Sequence, residues 1–314
     1  MKLIIQIPCY NEEATLAVAL KDLPRSVDGF QEVEWLVIDD GSTDDTVAVA
    51  EANGVDHVVR FTKNQGLARA FLAGLDASLK LGADVIVNTD ADNQYDARDI
   101  PSLVRPILDR KAELVIGARP VSEIRHFPPI KKQLQRLGSW VVRLASRTDI
   151  PDAPSGFRAM SREAALRLNV FNDYTYTLET IIQAGQKNMA LVSVPVRVNE
   201  ELRRSRLVKS IPSYLKRSIT TIIRIFVVYK PFRFFLSLGL LSIALGILIG
   251  LRFLYYYFAT EESSGHVQSL ILSSILFGLG FQMIVVAFVA DLLAVNRRLL
   301  EDVQYRLRKI DTGK

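Results

Sequence analysis

Three short polar runs in the first hundred residues carry the groups best suited to do chemistry together. Pro8-Cys9-Tyr10-Asn11-Glu12, Asp39-Asp40-Gly41-Ser42-Thr43-Asp44 and Thr89-Asp90-Ala91-Asp92-Asn93-Gln94 each follow a short apolar run. Ionised carboxylates are pure acceptors, suited to the N–H groups of a base and the hydroxyls of a ribose. Asp90 and Asp92 flank a single residue, and hard oxygen donors of this kind suit Mg2+ or Mn2+. A departing diphosphate needs such a cation to neutralise the charge it develops. A D-x-D pair alone arises easily by chance; its place as the third acidic strand end gives it weight. Asp44 also has a local use, capping a helix that begins near Thr46.

The elements that must position these groups are legible in the pattern. Apolar runs at Leu3–Ile7, Trp35–Ile38, His57–Arg60, Val85–Asn88 and Glu113–Ile116 alternate with helix-like stretches at Ala14–Leu23, Thr46–Asn53 and Gly66–Leu81. This βαβα rhythm predicts an α/β fold with a largely parallel sheet, whose ligands gather beyond the carboxyl ends of the strands. A Pro-rich, basic segment from His126 to Arg147 breaks the rhythm. The chain resumes with Ser155–Met160, helices over Arg162–Leu168 and Thr177–Ala184, and a strand over Leu191–Val198.

The net charge of +5 suits nucleic acid, an anionic membrane or a phosphorylated substrate. No basic stripe with interleaved aromatics marks the first half, so nucleic acid is not expected as a partner. Cys9 is the only cysteine, which excludes an internal disulfide and points to a reducing compartment. The N-terminus lacks the long apolar core of a signal peptide.

Apolar residues concentrate after Phe232. Phe232–Phe258 and Val267–Val289 each have about the 20 residues needed to cross a bilayer. Glu261 and Glu262 lie between them, whereas Lys230, Arg233, Arg297 and Arg298 flank them, a bias that puts both flanks and the N-terminal domain in the cytoplasm. Before the first span, Val208, Ile211, Leu215, Ile219, Ile222 and Phe226 form one helical face with basic residues off it, the pattern of a helix lying in an anionic headgroup layer. Gly278, Gly280, Ser273 and Ser274 would allow close packing between the spans or with a neighbouring subunit, so a homo-oligomer is a candidate state.

The motifs in this order closely resemble family-2 glycosyltransferases, specifically the polyprenyl- or dolichyl-phosphate sugar synthases with a GT-A catalytic domain. The matches are Pro8–Glu12, Asp39–Asp44, Asn64–Ala68, Asp90–Gln94, Gly117–Arg119, Ser155–Arg158 and Arg203–Leu207. The resemblance implies a GT-A (Rossmann-like) nucleotide-sugar domain with a largely parallel mixed sheet over 1–207. Juxtamembrane helices over 208–231, two transmembrane helices over 232–290 and a cytoplasmic tail over 291–314 would follow. It implies transfer of a sugar from a nucleotide sugar, UDP before GDP, to polyprenyl or dolichyl phosphate, metal-dependent and with inversion, on the plasma membrane of a prokaryote.

By the same resemblance, Pro8, Tyr10, Asn11, Glu12, Asp39, Asp40, Lys63 and Gly66 serve the nucleotide, Asp92 and Gln94 the metal, and Asp90 the donor. Arg119, Lys131, Arg158, Arg203, Ser205 and Arg206 surround the acceptor phosphate and diphosphate. Lys131 stands where such relatives often have Arg, and Arg204 replaces a Gly-containing approach to the serine. Asp152 and Glu179 are candidates for the sugar hydroxyls, with solvation on a helix surface an equal account of Glu179. Because the attacking group would be a phosphate oxygen already carrying charge, no strong general base is required.

Two other readings differ in testable ways. A processive polysaccharide synthase would add a Q-x-x-R-W signature, whereas Gln133-Leu134-Gln135-Arg136 is followed by Leu137. A non-catalytic scaffold would have lost metal ligands, and none is lost. Dinucleotide oxidoreduction lacks its G-x-G-x-x-G after the first strand.

Overall fold

The computed structural model describes residues 1–120, 142, 143, 146, 148–170, 176–199, 220, 223, 224, 227–259 and 267–313. The chain divides into two compact units, Met1–Ser218 with Glu301–Lys314, and Ile219–Leu300.

The first unit is built on a seven-stranded sheet. In chain order its elements are β1 (Lys2–Cys9), α1 (Glu13–Asp22), β2 (Glu32–Asp39), α2 (Thr46–Ala52), β3 (His57–Arg60), α3 (Leu67–Lys80) and β4 (Val85–Asn88). A 3-10 turn at Ala97–Asp99, α4 (Ile100–Leu108), β5 (Leu114–Ala118), β6 (Arg158–Ser161), α5 (Arg162–Arg167), α6 (Thr177–Gln186) and β7 (Leu191–Pro195) complete it. The strand order is β3-β2-β1-β4-β6-β5-β7. Only β6 runs antiparallel to its neighbours β4 and β5. The sheet is therefore mostly parallel and mixed, as expected.

The central strands are buried along most of their length, β4 entirely, which is why they read as unbroken apolar runs. Parallel pairing places Cys9 beside Asp39, so β1 and β2 finish together, and Gln6 beside Asn88, so β4 stops three residues short of them with its carboxyl end turned to the same edge. The acidic runs share that edge because of this register.

One element was not expected. Asp96 accepts the Arg98 N–H and starts the 3-10 turn that leads into α4. Pro101 sits in the first turn of α4, where no N–H partner is needed, and Ile100, Leu103, Val104 and Ile107 form its buried face. At the C-terminus, Glu301 pairs with Lys187 at 3.0 Å, the Tyr305 hydroxyl donates to Glu163 at 2.9 Å, and Arg308 donates to Leu168 O at 2.7 Å. The expected tail is thus helical and packs within the first unit.

The second unit contains α7 (Pro231–Ala259) and most of α8 (Val267–Asp311). Both are long and apolar enough to cross a membrane. Ser273 Oγ donates to Gly246 O at 2.7 Å and Ser242 Oγ to Leu276 O at 2.9 Å. A Cβ on Gly280 would stand 2.5 Å from Ile243 Cγ1, so its bare backbone sets the approach of the two helices. Gly278 faces open space and Ser274 bonds back to its own helix at Leu270, so of the four small residues expected to pack, Ser273 and Gly280 do so.

Candidate active site

The first two strand tips are laced to each other. Asn11, in the left-handed region at φ 53°, accepts the Thr43 N–H at 2.9 Å and donates its own N–H to Ser42 Oγ at 2.9 Å. Asp39 is buried, accepts from Ser42 N–H at 2.9 Å and lies 3.3 Å from Arg60. Asp40 accepts the backbone N–H groups of Gln65 at 2.7 Å and Gly66 at 2.9 Å. It therefore braces the loop that opens α3, and burial raises its pKa against those two bonds. Gly41 is required here: at φ 71°, a Cβ would sit 2.4 Å from the Lys63 carbonyl carbon. Asp44 accepts from Thr46 N–H at 3.1 Å, the local use its position allowed.

Tyr10 is exposed, Glu12 is buried and Lys63 is exposed on the loop beside Gly41. Pro8 lies buried inside β1 opposite Ile38, one residue before the strand end.

Asp90 rests on a floor of polar groups that motif reading did not assign. Asn88 receives a bond from Gln6 at 2.8 Å and donates to Gly156 O at 2.9 Å and Tyr176 Oη at 2.8 Å. The Gly156 N–H donates to Tyr95 Oη at 3.0 Å. A Cβ on Gly156 would meet the Asp90 carboxylate at 2.9 Å, so the glycine makes room for it. Tyr176 is fixed in turn by stacking on Phe71, with centroids 3.8 Å apart. The only sequence signal for this floor is polarity where burial is expected, at Gln6 and Asn88.

Asp92 accepts the Gln94 N–H at 3.1 Å, turning the loop, and Asn93 adopts φ 57°. Burial, then repulsion from Asp92, pushes the Asp90 carboxyl up to about 7, with Arg119 and Arg158 opposing.

Two arginines and two carboxylates stand differently from their expected roles. Arg119 binds Asp152 through both ends of its guanidinium, at 2.7 and 3.1 Å, and both side chains are almost wholly buried. The sugar-facing candidate and the phosphate-facing candidate thus satisfy each other. Arg158 is completely buried and donates to Thr177 O, Thr180 Oγ1 and Ser155 O, with its guanidinium 5.2 Å from the Tyr176 ring centroid. These bonds brace the segment around Gly156. Glu179 is buried in α6, which removes surface solvation as its explanation. Lys131, Arg203, Ser205 and Arg206, and most of the amphipathic stretch before the spans, lie outside the described residues.

Acidic tips on three adjacent parallel strands, at the carboxyl edge of a mostly parallel sheet, are the arrangement that the family comparison meets: residues 4–168 match the model described as glycosyl transferase family 2.

The chain belongs to glycosyl transferase family 2.

This glycosyltransferase is 29% identical over 218 residues to the undecaprenyl-phosphate mannosyltransferase of Micrococcus luteus, covering 66% of this chain and 88% of that one. It is 28% identical over 208 residues to the polyprenol monophosphomannose synthase of Mycolicibacterium smegmatis, covering 63% and 77%. It is 27% identical over 216 residues to the UDP-N-acetylglucosamine–dolichyl-phosphate N-acetylglucosaminyltransferase of Methanococcus voltae, covering 61% and 83%. Among solved structures, glucosyl-3-phosphoglycerate synthase from Mycobacterium tuberculosis, bound to Mn2+, UDP and glucosyl-3-phosphoglycerate, aligns with a TM-score of 0.54. It is 24% identical over 72% of this chain and 78% of that one, which establishes the GT-A fold.

For a divalent cation, the glycosyltransferase offers the carboxylates of Asp90 and Asp92 and the amide oxygen of Gln94. Among the described residues, no group of three or more His, Cys, Asp or Glu side chains could hold a metal by itself. An all-oxygen set this sparse fits a cation that completes its shell on a substrate's phosphates and water.

Proposed function

We propose that this glycosyltransferase moves a sugar from a nucleotide diphosphate sugar, UDP before GDP, onto a polyprenyl phosphate at the cytoplasmic face of a membrane. The observation that carries the reading is the union, in one chain, of the acidic strand tips with two membrane-length helices, among relatives named for polyprenol- and dolichyl-phosphate acceptors. The N-acetylglucosaminyltransferase relative, named for a UDP sugar, supports the UDP preference. Basic residues flanking the spans and acidic residues between them support a cytoplasmic catalytic unit in a prokaryotic plasma membrane.

In this reading an oxygen of the acceptor phosphate attacks the anomeric carbon in line. The bond from that carbon to the nucleotide diphosphate breaks, its electron pair leaves with the diphosphate, and the configuration inverts. Asp92 and Gln94 would hold a divalent cation, which would supply charge neutralisation for the departing diphosphate. Asp90 faces the donor from the Gly156 floor, and Asn11, Glu12, Asp39 and Asp40 shape the nucleotide edge. Lys131, Arg203, Ser205 and Arg206 receive the acceptor's phosphate. The chain's own contribution is positioning of two anions that would otherwise repel.

The test is to incubate membranes containing the protein with short polyprenyl phosphate, Mg2+ or Mn2+, and a panel of labelled UDP and GDP sugars. Label extracted into organic solvent identifies donor and acceptor together. Asp92→Asn is expected to abolish it, and undiminished transfer by that variant removes the metal assignment.

A further inference from the structure

The loop that carries Asp90, Asp92 and Gln94 is gripped from the side by one residue beyond β7. The backbone N–H of Asn199 donates to Gln94 O at 2.9 Å, and its side-chain amide donates to Asn93 O at 3.0 Å and Tyr95 O at 3.4 Å. Carbonyls of three consecutive loop residues therefore converge on a single asparagine. The chain before it is tied to the same stretch: Val198 bridges Tyr95, the Asp96 N–H donates to Arg197 O at 3.3 Å, and Arg197 binds Asp99 at 2.6 Å. On its outer side Asn93 donates to Asp22 at 2.9 Å.

The chemistry of the side chain matters here. A primary amide brings two N–H donors to two carbonyls, whereas an aspartate of the same shape has none when ionised, and a serine has one. The position in the chain matters as well. Arg203 follows four residues later and Arg206 seven, so a fully extended chain keeps their Cα atoms within about 14 and about 25 Å of Asn199.

We infer that Asn199 is a positioning residue for the transfer, locking the backbone of Asn93–Tyr95 so that Asp92 and Gln94 present their oxygens in one place. It also ties that donor loop to the stretch from which the acceptor-phosphate residues depart. This rests on the function proposed above, and the experiment separates the two.

Asn199→Ala and Asn199→Asp are made in the full-length protein, with Arg98→Ala as a control, because Arg98 is an exposed partner of Asp96 on the same stretch that touches none of the three carbonyls. Three quantities are read: binding of UDP, and separately of GDP, with Mn2+ by calorimetry without turnover; kcat and KM for each substrate; and the unfolding midpoint. Both Asn199 variants are expected to lose about 10–100-fold in kcat, the scale of a misplaced reacting group, and to bind the nucleotide with Mn2+ about tenfold more weakly. Their unfolding midpoints should stay near that of the wild type. The aspartate should be at least as poor as the alanine despite its shape, and Arg98→Ala should match the wild type. Wild-type kcat and binding in either Asn199 variant, a loss explained wholly by less folded protein, or an equal loss in Arg98→Ala overturns the inference. If the wild type binds nucleotide and Mn2+ but transfers nothing to polyprenyl phosphate, the acceptor reading fails, while the calorimetric arm still decides the role of Asn199.

Discussion

Replacing Asp90 by asparagine should stabilise the ligand-free protein, and more so as the pH rises. The carboxyl sits on the Gly156 floor with little access to water and with Asp92 two residues away, and these two causes carry its pKa from 3.8 to about 7. In the unfolded chain it ionises near its ordinary value. Between those limits the unfolded state has released a proton that the folded state still holds, so stability falls with rising pH across the interval and levels off above about 7. About three units at 1.36 kcal/mol each set the full penalty at about 4 kcal/mol, an upper figure because Asp92 shares the interaction. Between about pH 5 and about pH 8, the wild type should lose about 2–3 kcal/mol relative to Asp90→Asn, or about 5–10 °C of unfolding midpoint for a unit of this size. Buried Trp35 in β2 provides an intrinsic fluorescence readout for thermal scans in metal-free buffer. If the midpoints of the two proteins run parallel over that pH range, the carboxyl is ionised throughout and the account of the floor is wrong.

Gly156→Ala separates placement from stability. The new Cβ would fall 2.9 Å from Asp90 Oδ2 and 3.2 Å from the Tyr176 hydroxyl, and the carboxylate is the part free to swing aside. Transfer should therefore drop by about 10–100-fold while the unfolding midpoint changes little, and transfer at the wild-type rate would show that Asp90 does not need that seat. In the helical unit, Gly280→Val should cost about 1–3 kcal/mol by forcing α7 and α8 apart, since Ile243 and the Gly239 carbonyl stand in the way. Gly278→Val, which meets nothing, should cost far less, and equal losses of unfolding midpoint in detergent would refute that packing.

The sheet and its acidic edge were legible because both follow from period and register. Buried parallel strands read as apolar runs, and pairing Cys9 with Asp39 forces their polar successors to one edge. The helix Ile100–Leu108 escaped notice because Pro101 and Pro106 and the charges before it look like a loop. Pro101 occupies a first-turn position that lacks a partner anyway, and the buried face decides the rest. The resemblance implies only a tail after the spans, yet Glu301, Tyr305 and Arg308 are spaced to form one face that packs within the first unit. The bonds of Arg158 lie beyond the sequence for a deeper reason. An arginine in a motif reads as a phosphate ligand, and nothing in the sequence announces that its guanidinium will be consumed by the carbonyls of Ser155 and Thr177.

That consumption shapes the electrostatics of the described site. Arg119 binds Asp152, and Arg158 binds carbonyls and a hydroxyl. Glu12, Asp90 and Asp92 are carried by the tips, and burial first and Asp92 second keep the Asp90 pKa raised against the opposing pull of Arg119 and Arg158. In the proposed reading, carboxylates grouped in this way would disfavour a diphosphate on its own, and a divalent cation arriving with the nucleotide would offset them, because a ligand that binds the ionised folded form adds RT ln(1 + [L]/Kd) to its stability and pulls the Asp90 proton off. In that reading the acceptor's phosphate is assigned to the basic stretches at Lys131 and Arg203–Arg206, because Arg119 and Arg158 already bind groups of their own unit.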